Sequence, residues 1–526
     1  MLVAPALSKL PLTTCVLNAA RLTSMLAAPA RSTLISVLVA LSLGITTLAL
    51  PASTEASAGL TLRRTTLSNE FVGEVLLRGV PSSLLQYITF TVVPKVGSTA
   101  KAITVTYSKA YLVAQRKLGS RVKEATIPIF GLYPGFNNTV RITVKEIHRR
   151  EKSITVRMRT AAYTSFFSAA TRVNVTPRNK LIDLSYSYML VRHLRNELGP
   201  VVIDIDGNVR WVGRPGLNSQ GAFFWNGSIY LDNGEGNSGG SKLFRMEMNG
   251  VRTEVADFAS EGVWGLHHNY DLGKSGLLIE VNATIDGAVH VESTIFEVSQ
   301  TGNIIERWDI TQIIRQAMIL GGDDPTAFVR DGDDWFHSNA ATYWAENDTL
   351  VVSSRENFVI GIGYSDKQIK WILGDRSKAW ANYPSLLGYA LTLTPGSVAP
   401  IGQHSVSITA DGNLLLFDNG FQSVNHTPAG NHRTFSAPRK YALDLTSKTA
   451  TEVWSFSHDE EIYSPICSSV YQQGSSYLIN YAHGSDGYLH LMGFGAGDTT
   501  AFEYKWLGNC SHGWNASILN LEGLRY

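Results

Sequence analysis

The chain has 526 residues, which is long enough to bury a large core and too long for one small domain. Hydrophobic residues make up 44% and charged residues 17%, an ordinary globular mixture, and a formal net charge of +1 excludes the strongly basic balance of a nucleic-acid binder. Three cysteines exclude a disulfide-dense scaffold and a multi-thiolate metal site.

Residues 1–58 are predicted to be a signal peptide for export. The first acidic residue is Glu55, and an apolar run from Leu34 to Leu50 is followed by small residues that end at Ala58. A basic start, an apolar core and a small-x-small site are typical of secretory signals. We therefore expect cleavage near Ala58 and a periplasmic or secreted protein. A permanent membrane anchor is the alternative, and Met25 is a second candidate for the start of the chain.

Residues 59–165 are predicted to form an N-terminal β-sandwich domain of the Ig-like kind. Short runs such as Ile88–Val93 and Val140–Val144 alternate apolar and polar residues, and turn signals such as Pro134-Gly135 separate them. Alternation of this kind is typical of strands with one buried face. No residue pattern in this part of the sequence indicates catalysis.

A longer repeat begins near residue 175. Its unit is a turn followed by a strand that ends in tryptophan, and a strand ending at Phe258 fills the one double gap. The tryptophans that end the phrases are Trp211, Trp308, Trp371, Trp454 and Trp506. Six units of about 60 residues predict an all-β chain with a six-bladed β-propeller over residues 175–526. Tandem sandwiches are the alternative, but each would need about 100 residues.

Histidines stand at one equivalent place in three successive units of this repeat. The third unit has His267-His268, the fourth His337 and the fifth His404, each about ten residues before an apolar strand. Because the first strand of a blade lines the central channel, we expect three imidazoles near one channel mouth. Arg355 ends the following strand of the fourth unit, and its charged fork suits an anionic group.

The residues alone leave two chemistries open for this cluster. Three histidines can hold a metal ion, and a neutral imidazole can attack an electrophile while arginine neutralises the developing charge. The chain has neither a Walker A phosphate loop nor an H-E-x-x-H motif. An acidic loop over residues 323–334 lacks EF-hand spacing, so we interpret it as a solvated loop.

Several phrases resemble those of bacterial aryl-sulfate sulfotransferases. They are Ile127–Phe136, Asp334–Asn339, Ser353–Arg355, Lys370–Gly374 and Gln403-His404. The resemblance spans both predicted domains. It implies an exported six-bladed propeller with an N-terminal sandwich, which moves a sulfuryl group from a phenolic sulfate ester to an acceptor phenol. Such enzymes use no nucleotide sulfate donor, and the resemblance implies no metal and no other cofactor.

The resemblance also implies roles for individual residues. His404 matches the nucleophile that becomes a transient sulfohistidine, and the implied catalytic set is completed by His268, His337 and Arg355. The implied substrate-binding set consists of Asn339, His267 and Ser468. We prefer His268 to His267 as the histidine that faces the site, because His268 aligns better with the Gln-His of the fifth unit. For Ser468, the neighbouring Ser469 is an alternative.

The expected partners are small molecules, namely a phenolic sulfate donor and a phenol acceptor. No nucleic acid partner is expected, and a homodimer is left open. Two other classes stay in view: a metal-dependent or hydrolytic propeller enzyme, and a non-catalytic binding propeller. The sequence leaves open whether Cys467 and Cys510 pair. It also leaves open whether the aromatic residues near His337 stack on substrate or pack in the core; they are Trp335, Phe336, Tyr343 and Trp344.

Overall fold

A computed structural model describes residues 59–119, 123–195, 197–234 and 240–526. The predicted signal peptide, residues 1–58, lies outside these ranges. Within the described ranges the chain is built almost entirely of β-strands, as the sequence predicts. No helix there is long and apolar enough to cross a membrane.

The N-terminal domain consists of two facing sheets. One sheet contains β1 (Thr61–Leu67), β2 (Val72–Arg78) and β5 (Glu124–Phe130), and the other contains β3 (Leu85–Val92), β4 (Ile103–Ser108), β6 (Asn137–Glu146) and β7 (Lys152–Arg159). On β3, Ile88, Phe90 and Val92 are buried while the residues between them are not. This period of two builds the sandwich core that the alternating sequence predicts.

Six antiparallel sheets follow in chain order within the described residues. Sheet 1 contains β9 (Tyr188–Arg192), β10 (Val201–Asp204) and β11 (Val209–Val212); sheet 2 contains β12 (Asn218–Trp225), β13 (Ser228–Asp232), β14 (Lys242–Glu247) and β15 (Arg252–Asp257); sheet 3 contains β16 (Val263–Leu272), β17 (Leu277–Ile285), β18 (Ala288–Val298) and β19 (Ile304–Asp309).

The other three sheets repeat this pattern, and two of them gain a fifth strand. Sheet 4 contains β20 (Ser338–Trp344), β21 (Thr349–Ser354), β22 (Val359–Gly363) and β23 (Ile369–Leu373); sheet 5 contains β24 (Thr392–Leu393), β25 (His404–Ile408), β26 (Leu414–Asp418), β27 (Ala437–Asp444) and β28 (Thr449–Ser455); sheet 6 contains β8 (Val173–Thr176), β29 (Ser469–Gln473), β30 (Ser476–Tyr481), β31 (Tyr488–Phe494) and β32 (Thr500–Leu507).

A late strand closes the ring of sheets. Strand β33 (Asn515–Leu519) pairs with β9 and forms the innermost strand of sheet 1. The innermost strands of sheets 2 to 6 contact one another in succession, that of sheet 6 contacts β33, and that of sheet 2 contacts β9. Next, β34 (Glu522–Arg525) pairs in parallel with β4 of the sandwich. The predicted 175–526 range therefore differs from the structure at its end, because these four residues complete the N-terminal domain.

The repeating tryptophans lie on the fourth strand of their sheets, counted from the innermost strand. Trp211, Trp308, Trp371 and Trp506 are buried, whereas Trp454 is half-buried and stacks on Tyr477. A bulky ring on each outer strand fills the space between neighbouring sheets, which explains why the repeat is visible in the sequence.

Helices are short and connect strands within the described residues. The α-helices are α1 (Lys109–Ala114), α2 (Ile310–Leu320), α3 (Pro384–Leu387) and α4 (Cys510–Gly513). The 3-10 helices are Ala259–Glu261, Ala345–Asn347, Ala379–Asn382, His458–Glu460 and Ala496–Asp498. The longest, α2, buries Ile314 and Met318 against sheets 3 and 4, and Asp309 caps its N-terminus by accepting from the Gln312 N–H.

Candidate active site

The three predicted histidines form one cluster with a tryptophan at the inner edge of the sheets. The rings of His268 and His337 are 4.9 Å apart between centroids, and the Trp514 ring lies 5.2 Å from His268 and 5.8 Å from His404. Trp514 immediately precedes β33, so each of these four residues belongs to a different sheet. The structure thus brings together the imidazoles that the repeat places at one channel mouth.

Hydrogen bonds fix which nitrogen of His404 carries the proton. His404 Nδ1 lies 2.8 Å from Asn419 Oδ1 and 3.2 Å from the Gly402 carbonyl oxygen, and both partners accept. The Asn419 amide cannot be turned round, because its Nδ2 donates to the carbonyls of Ser464 and Cys467. Nδ1 must therefore donate, which leaves a lone pair on Nε2.

The segment before His404 is bound to sheet 4. The Gln403 carbonyl accepts from Asn339 Nδ2 at 2.8 Å, and Gln403 Nε2 donates to the Ser354 carbonyl at 2.7 Å. Gly402 has φ +61°, and a Cβ there would lie 2.4 Å from the Phe421 carbonyl oxygen, so only glycine fits. These contacts hold the His404 ring beside the charged groups of sheet 4.

His404 is neutral across the physiological pH range. Its side chain is buried, and burial lowers its pKa to about 3, although the bond to Asn419 favours the charged form. The positive charges of His337 and Arg355 lower the pKa further. His404 therefore presents a lone pair on Nε2, which is the form that a nucleophile needs.

His337 is in the opposite state. Its Nδ1 donates to Asp334 Oδ2 at 2.6 Å and forms an ion pair with Glu292 Oε2 at 2.7 Å. Burial opposes the charged imidazole, but the Glu292 carboxylate, together with Asp334, raises the pKa of His337 to about 9. His337 is thus an imidazolium at neutral pH, with Nε2–H as its second donor.

Arg355 is the second fixed positive charge. Its backbone N–H donates to the His337 carbonyl at 3.1 Å, and its guanidinium bonds to the buried carboxylate of Glu356. The other Glu356 oxygen accepts from the loop that contains Ser423, and Lys378 Nζ donates to the Arg355 carbonyl at 3.1 Å. Arg355 is therefore held at both its backbone and its side chain.

Of the two adjacent histidines, His268 has the ring contacts with the other site residues. His267 is buried and its Nδ1 lies 2.7 Å from His268 Nδ1. The strand register differs from the predicted alignment, because His267 and His404 are each the last regularly paired residue before a bulge. The residue that follows each of them, His268 or Ser405, has a positive φ. His268 thus reaches the site through the bulge.

The remaining predicted residues have structural contacts. Asn339 is buried and bonds to the segment before His404, whereas the Ser468 hydroxyl bonds to Ser464 Oγ and the Ala482 N–H. Substrate contacts for both stay predictions. The aromatic residues near His337 pack in the core rather than at the channel: Trp335, Phe336 and Trp344 are buried, and the half-buried Tyr343 bonds to Asp348.

Two groups of described residues bring three possible metal ligands within 4.8 Å of one another: His267, His268 and Glu280, and His268, Glu292 and His337. Two ligand atoms on a tetrahedral ion at ordinary bond lengths are about 3.3 Å apart. His337 Nδ1 is only 2.7 Å from Glu292 Oε2, and the two Nδ1 atoms of the adjacent histidines are 2.7 Å apart. Both spacings are shorter than the separation of two ligand atoms on one tetrahedral ion.

Cys467 and Cys510 form a disulfide, with 6.1 Å between their Cα atoms. The Cys467 backbone N–H donates to His404 Nε2 at 3.3 Å, and Cys467 and Ser468 have φ values of +62° and +79°. The cross-link thus holds a loop of uncommon backbone conformation directly against His404 Nε2, whose lone pair accepts this long hydrogen bond.

Sequence reasoning missed three residues of the site. Asn419 follows the second strand of sheet 5 just as Arg355 follows that of sheet 4, so comparison of the repeats could have found it. Asp334 belongs to the loop that the sequence predicts to be solvated, but it is bonded to His337. Glu292 lies on a third strand, where the repeat gives no functional signal.

The chain is similar to known proteins over both of its domains. The profile of a family described as "Arylsulfotransferase (ASST)" matches residues 175–495, and an "Arylsulfotransferase Ig-like domain" matches residues 75–161. A protein of Escherichia coli O6:H1 called "Arylsulfate sulfotransferase AssT" is 27% identical over 295 residues, which are 45% of this chain and 48% of that protein. Its namesake from Lelliottia amnigena is 26% identical over 238 residues, 36% of this chain and 40% of that one.

The chain therefore matches about half the length of these two relatives or less. Among solved structures, the β-propeller domain of Myceliophteria thermophila Cps50 (Swd1) is 9% identical, with a TM-score of 0.31, and covers 64% of this chain and 99% of that one. At this TM-score the similarity supports no conclusion about the fold, which the strand pairing of this chain shows by itself.

Proposed function

The chain belongs to the arylsulfotransferase family, and on that premise we propose that it transfers a sulfuryl group from a phenolic sulfate ester to an acceptor phenol through a covalent intermediate on His404. One observation carries the proposal: a neutral imidazole, fixed by Asn419 with its lone pair on Nε2, lies beside two fixed positive charges. A nucleophile beside cations is the arrangement that transfer of an anionic group needs.

In the first half-reaction, the long hydrogen bond from the Cys467 N–H to His404 Nε2 breaks, and Nε2 attacks the sulfur atom of the donor. The new N–S bond forms as the bond from sulfur to the phenolic oxygen breaks, and the phenolic oxygen takes the electron pair. Asn419 Oδ1 accepts from Nδ1–H and so stabilises the positive charge that develops on the ring. Arg355 and His337 neutralise the sulfuryl oxygens, and an imidazolium N–H can protonate the leaving oxygen.

In the second half-reaction, an acceptor phenol occupies the place of the departed one. Its oxygen attacks sulfur, its proton returns to the imidazole that gave one up, and the N–S bond breaks to restore neutral His404. Because both halves use one site, donor and acceptor bind in turn, and the kinetics are ping-pong. This scheme uses neither a nucleotide sulfate donor nor a metal ion.

We also propose that the protein works outside the cytosol. The disulfide between Cys467 and Cys510 supports this, because disulfides persist mainly in oxidising compartments. The acid-poor, apolar sequence before Glu55 points the same way. N-terminal sequencing of protein recovered from outside the cytosol tests it: a first residue near Gly59 is expected, and a chain that still begins at Met1 or Met25 would contradict cleavage.

The test of the function is a burst experiment. Purified enzyme is mixed with a chromogenic aryl sulfate and no acceptor, and about one phenol per active site should be released rapidly. The peptide that contains Gln403 and His404 should gain the mass of one sulfuryl group, provided that digestion avoids acid. Added phenol should then give steady turnover with parallel double-reciprocal lines.

Two variants sharpen the assay. His404→Gln should release no burst and gain no mass, whereas His490→Gln, on the third strand of sheet 6, should behave like the parent. Intersecting double-reciprocal lines without a mass gain on His404 would mean direct transfer between two bound phenols. Steady phenol release at an unchanged rate without any acceptor would mean a hydrolase instead.

A further inference from the structure

Glu292, a buried residue of sheet 3, has an uncommon backbone conformation, and its carboxylate faces the site. Glu292 lies on β18, is 4% exposed and has φ +45°, a region that residues other than glycine rarely adopt. Its backbone N–H donates to Asn282 Oδ1 at 2.7 Å, where the pairing of β17 and β18 shifts register. The bulge takes Glu292 out of the regular ladder, as bulges near active sites do.

The Glu292 carboxylate faces two of the three site histidines. Oε2 is 2.7 Å from His337 Nδ1, and Oε1 is 3.8 Å from His268 Nδ1. Asp334 reaches the same nitrogen of His337 from the other side, but its side chain is 31% exposed, whereas that of Glu292 is 5% exposed. Glu292 is therefore the less screened partner of His337.

We infer that Glu292 is a positioning residue for sulfuryl transfer, whose buried charge holds His337 as an imidazolium with Nε2–H free for the substrate. The inference rests on the proposed function. As the bond between sulfur and the phenolic oxygen breaks, the proton moves from His337 Nε2 to that oxygen, and His337 becomes neutral. The acceptor phenol returns a proton to Nε2 when its own oxygen bonds to sulfur.

Besides burial, three charged side chains have the largest effect on the protonation of His337. Glu292 on β18 and Asp334 on its own segment favour the charged ring, whereas Arg355, which follows β21, opposes it. Burial holds the pKa of the neighbouring His268 well below its usual range, so His268 adds no charge at neutral pH. In return, the charged His337 holds the pKa of Glu292 well below that of a free carboxyl, against the effect of burial. Removal of Glu292 should therefore release the proton of His337 at lower pH.

The experiment compares burst rates across pH for the full-length enzyme and three variants. Glu292→Gln keeps the shape and removes the charge, Asp334→Asn removes the more exposed carboxylate, and Glu297→Gln is the matched control. Glu297 is also buried on β18, but its carboxylate accepts from the Ser275 and Gly276 N–H groups and from Tyr364.

In the parent enzyme the burst rate should fall as pH rises through about 9, the pKa of His337. For Glu292→Gln this fall should begin roughly two pH units lower. The rate at pH 8.5 should then be at least about tenfold below that of the parent, while the rate at pH 5.5 stays close to it. Asp334→Asn should move the fall less, and Glu297→Gln should not move it.

A second readout separates positioning from mere structure. If His337 protonates the leaving oxygen, the loss in Glu292→Gln at pH 8.5 should grow as the donor phenol becomes less acidic. An unmoved pH profile, or an equal loss at every pH and for every donor, would overturn the inference. So would a stoichiometric divalent ion in the parent enzyme that Glu292→Gln lacks, because the carboxylate would then be a ligand.

Two precautions keep the test decisive. If Glu292→Gln does not fold, Glu292→Asp keeps the charge at a greater distance and should shift the profile in the same direction by a smaller amount. If the parent enzyme itself gives no burst, the proposed function fails. A normal burst in the parent with an unchanged profile in the Glu292 variants is the failure of this inference alone.

Discussion

Two histidines of the same channel mouth exist in opposite protonation states. His404 is bonded to the uncharged amide of Asn419 and is neutral, with its pKa lowered to about 3 by burial. His337 is nearly as enclosed, but it lies between two carboxylates, Glu292 and Asp334, which raise its pKa to about 9. The same residue type thus exists as a neutral imidazole in one sheet and as a cation beside the neighbouring sheet.

The difference shows that the neighbouring side chain, rather than the histidine or its depth, assigns the role. Burial alone pushes every imidazole towards the neutral form. At His337, carboxylates close to Nδ1 reverse this effect of burial. At His404, the uncharged amide of Asn419 lies next to Nδ1 instead. Substitutions that exchange the two environments therefore test the division of labour.

The largest effect is expected when His404 and His337 are each replaced by glutamine in separate variants. His404→Gln removes the atom that bonds to sulfur, so the burst should fall by at least about 10³-fold. His337→Gln removes a charge and a proton donor but leaves the nucleophile, so the burst should slow by about 10²-fold and keep its amplitude. Stopped-flow phenol release checks both. Equal losses of amplitude would mean that the two histidines do not have separate roles.

Asn419→Asp should make the environment of His404 resemble that of His337. A carboxylate at Nδ1 raises the pKa of His404, so the ring is protonated over more of the pH range and its lone pair is lost. The burst rate at pH 7 should fall by about 10- to 100-fold and recover partly as pH rises. Asn413→Asp, in the turn before β26, is the control and should leave the profile unchanged. A uniform loss at all pH values would contradict the electrostatic reason.

Arg355→Lys is expected to have a smaller effect than either change at a histidine. Lysine keeps the positive charge but loses the planar fork, so sulfuryl oxygens are held with less precision. The burst should slow by roughly tenfold with full amplitude, and the KM of the donor should rise. An unchanged rate would show that His337 alone neutralises the sulfuryl group.

The last effect concerns stability rather than rate. The pKa of His337 is raised from 6.5 to about 9 on folding, so its contribution is fully present below pH 6.5 and is lost as pH rises through about 9. The free energy of unfolding should therefore fall by up to roughly 3 kcal/mol across that window. His337→Gln should lack this part of the fall, as denaturant titrations at several pH values would show. Identical pH dependence in both proteins would mean that folding does not raise the pKa of His337.

The amino-acid sequence is sufficient to predict the sheets and the histidines. Bulky tryptophans recur on the outer strands because the space between neighbouring sheets is filled in the same way each time. The recurrence is therefore visible in the amino-acid sequence. His268, His337 and His404 stand out because each opens a unit. The alternation of apolar and polar residues within 59–165 is likewise enough by itself to indicate a sandwich.

The partners that set the charge of each histidine could not be predicted in the same way. Glu292 comes to His337 from a different sheet, and its approach depends on a bulge that no local pattern announces. Asp334 belongs to an acid-rich stretch that looks solvated. The strand Glu522–Arg525 is four residues long and pairs with β4, a contact between distant parts of the chain that local propensity cannot indicate.

The closure of the ring by β33 brings the last part of the candidate site into place. Its partner β9 lies roughly 320 residues earlier, and contacts between such distant segments form late in folding. Trp514, just before β33, brings its ring against His268 and His404 at that step. Until β33 pairs with β9, Trp514 is not held against these histidines, and the cluster is incomplete. Sulfuryl-transfer activity and resistance to proteolysis should therefore appear together during refolding, at the rate at which β33 pairs with β9.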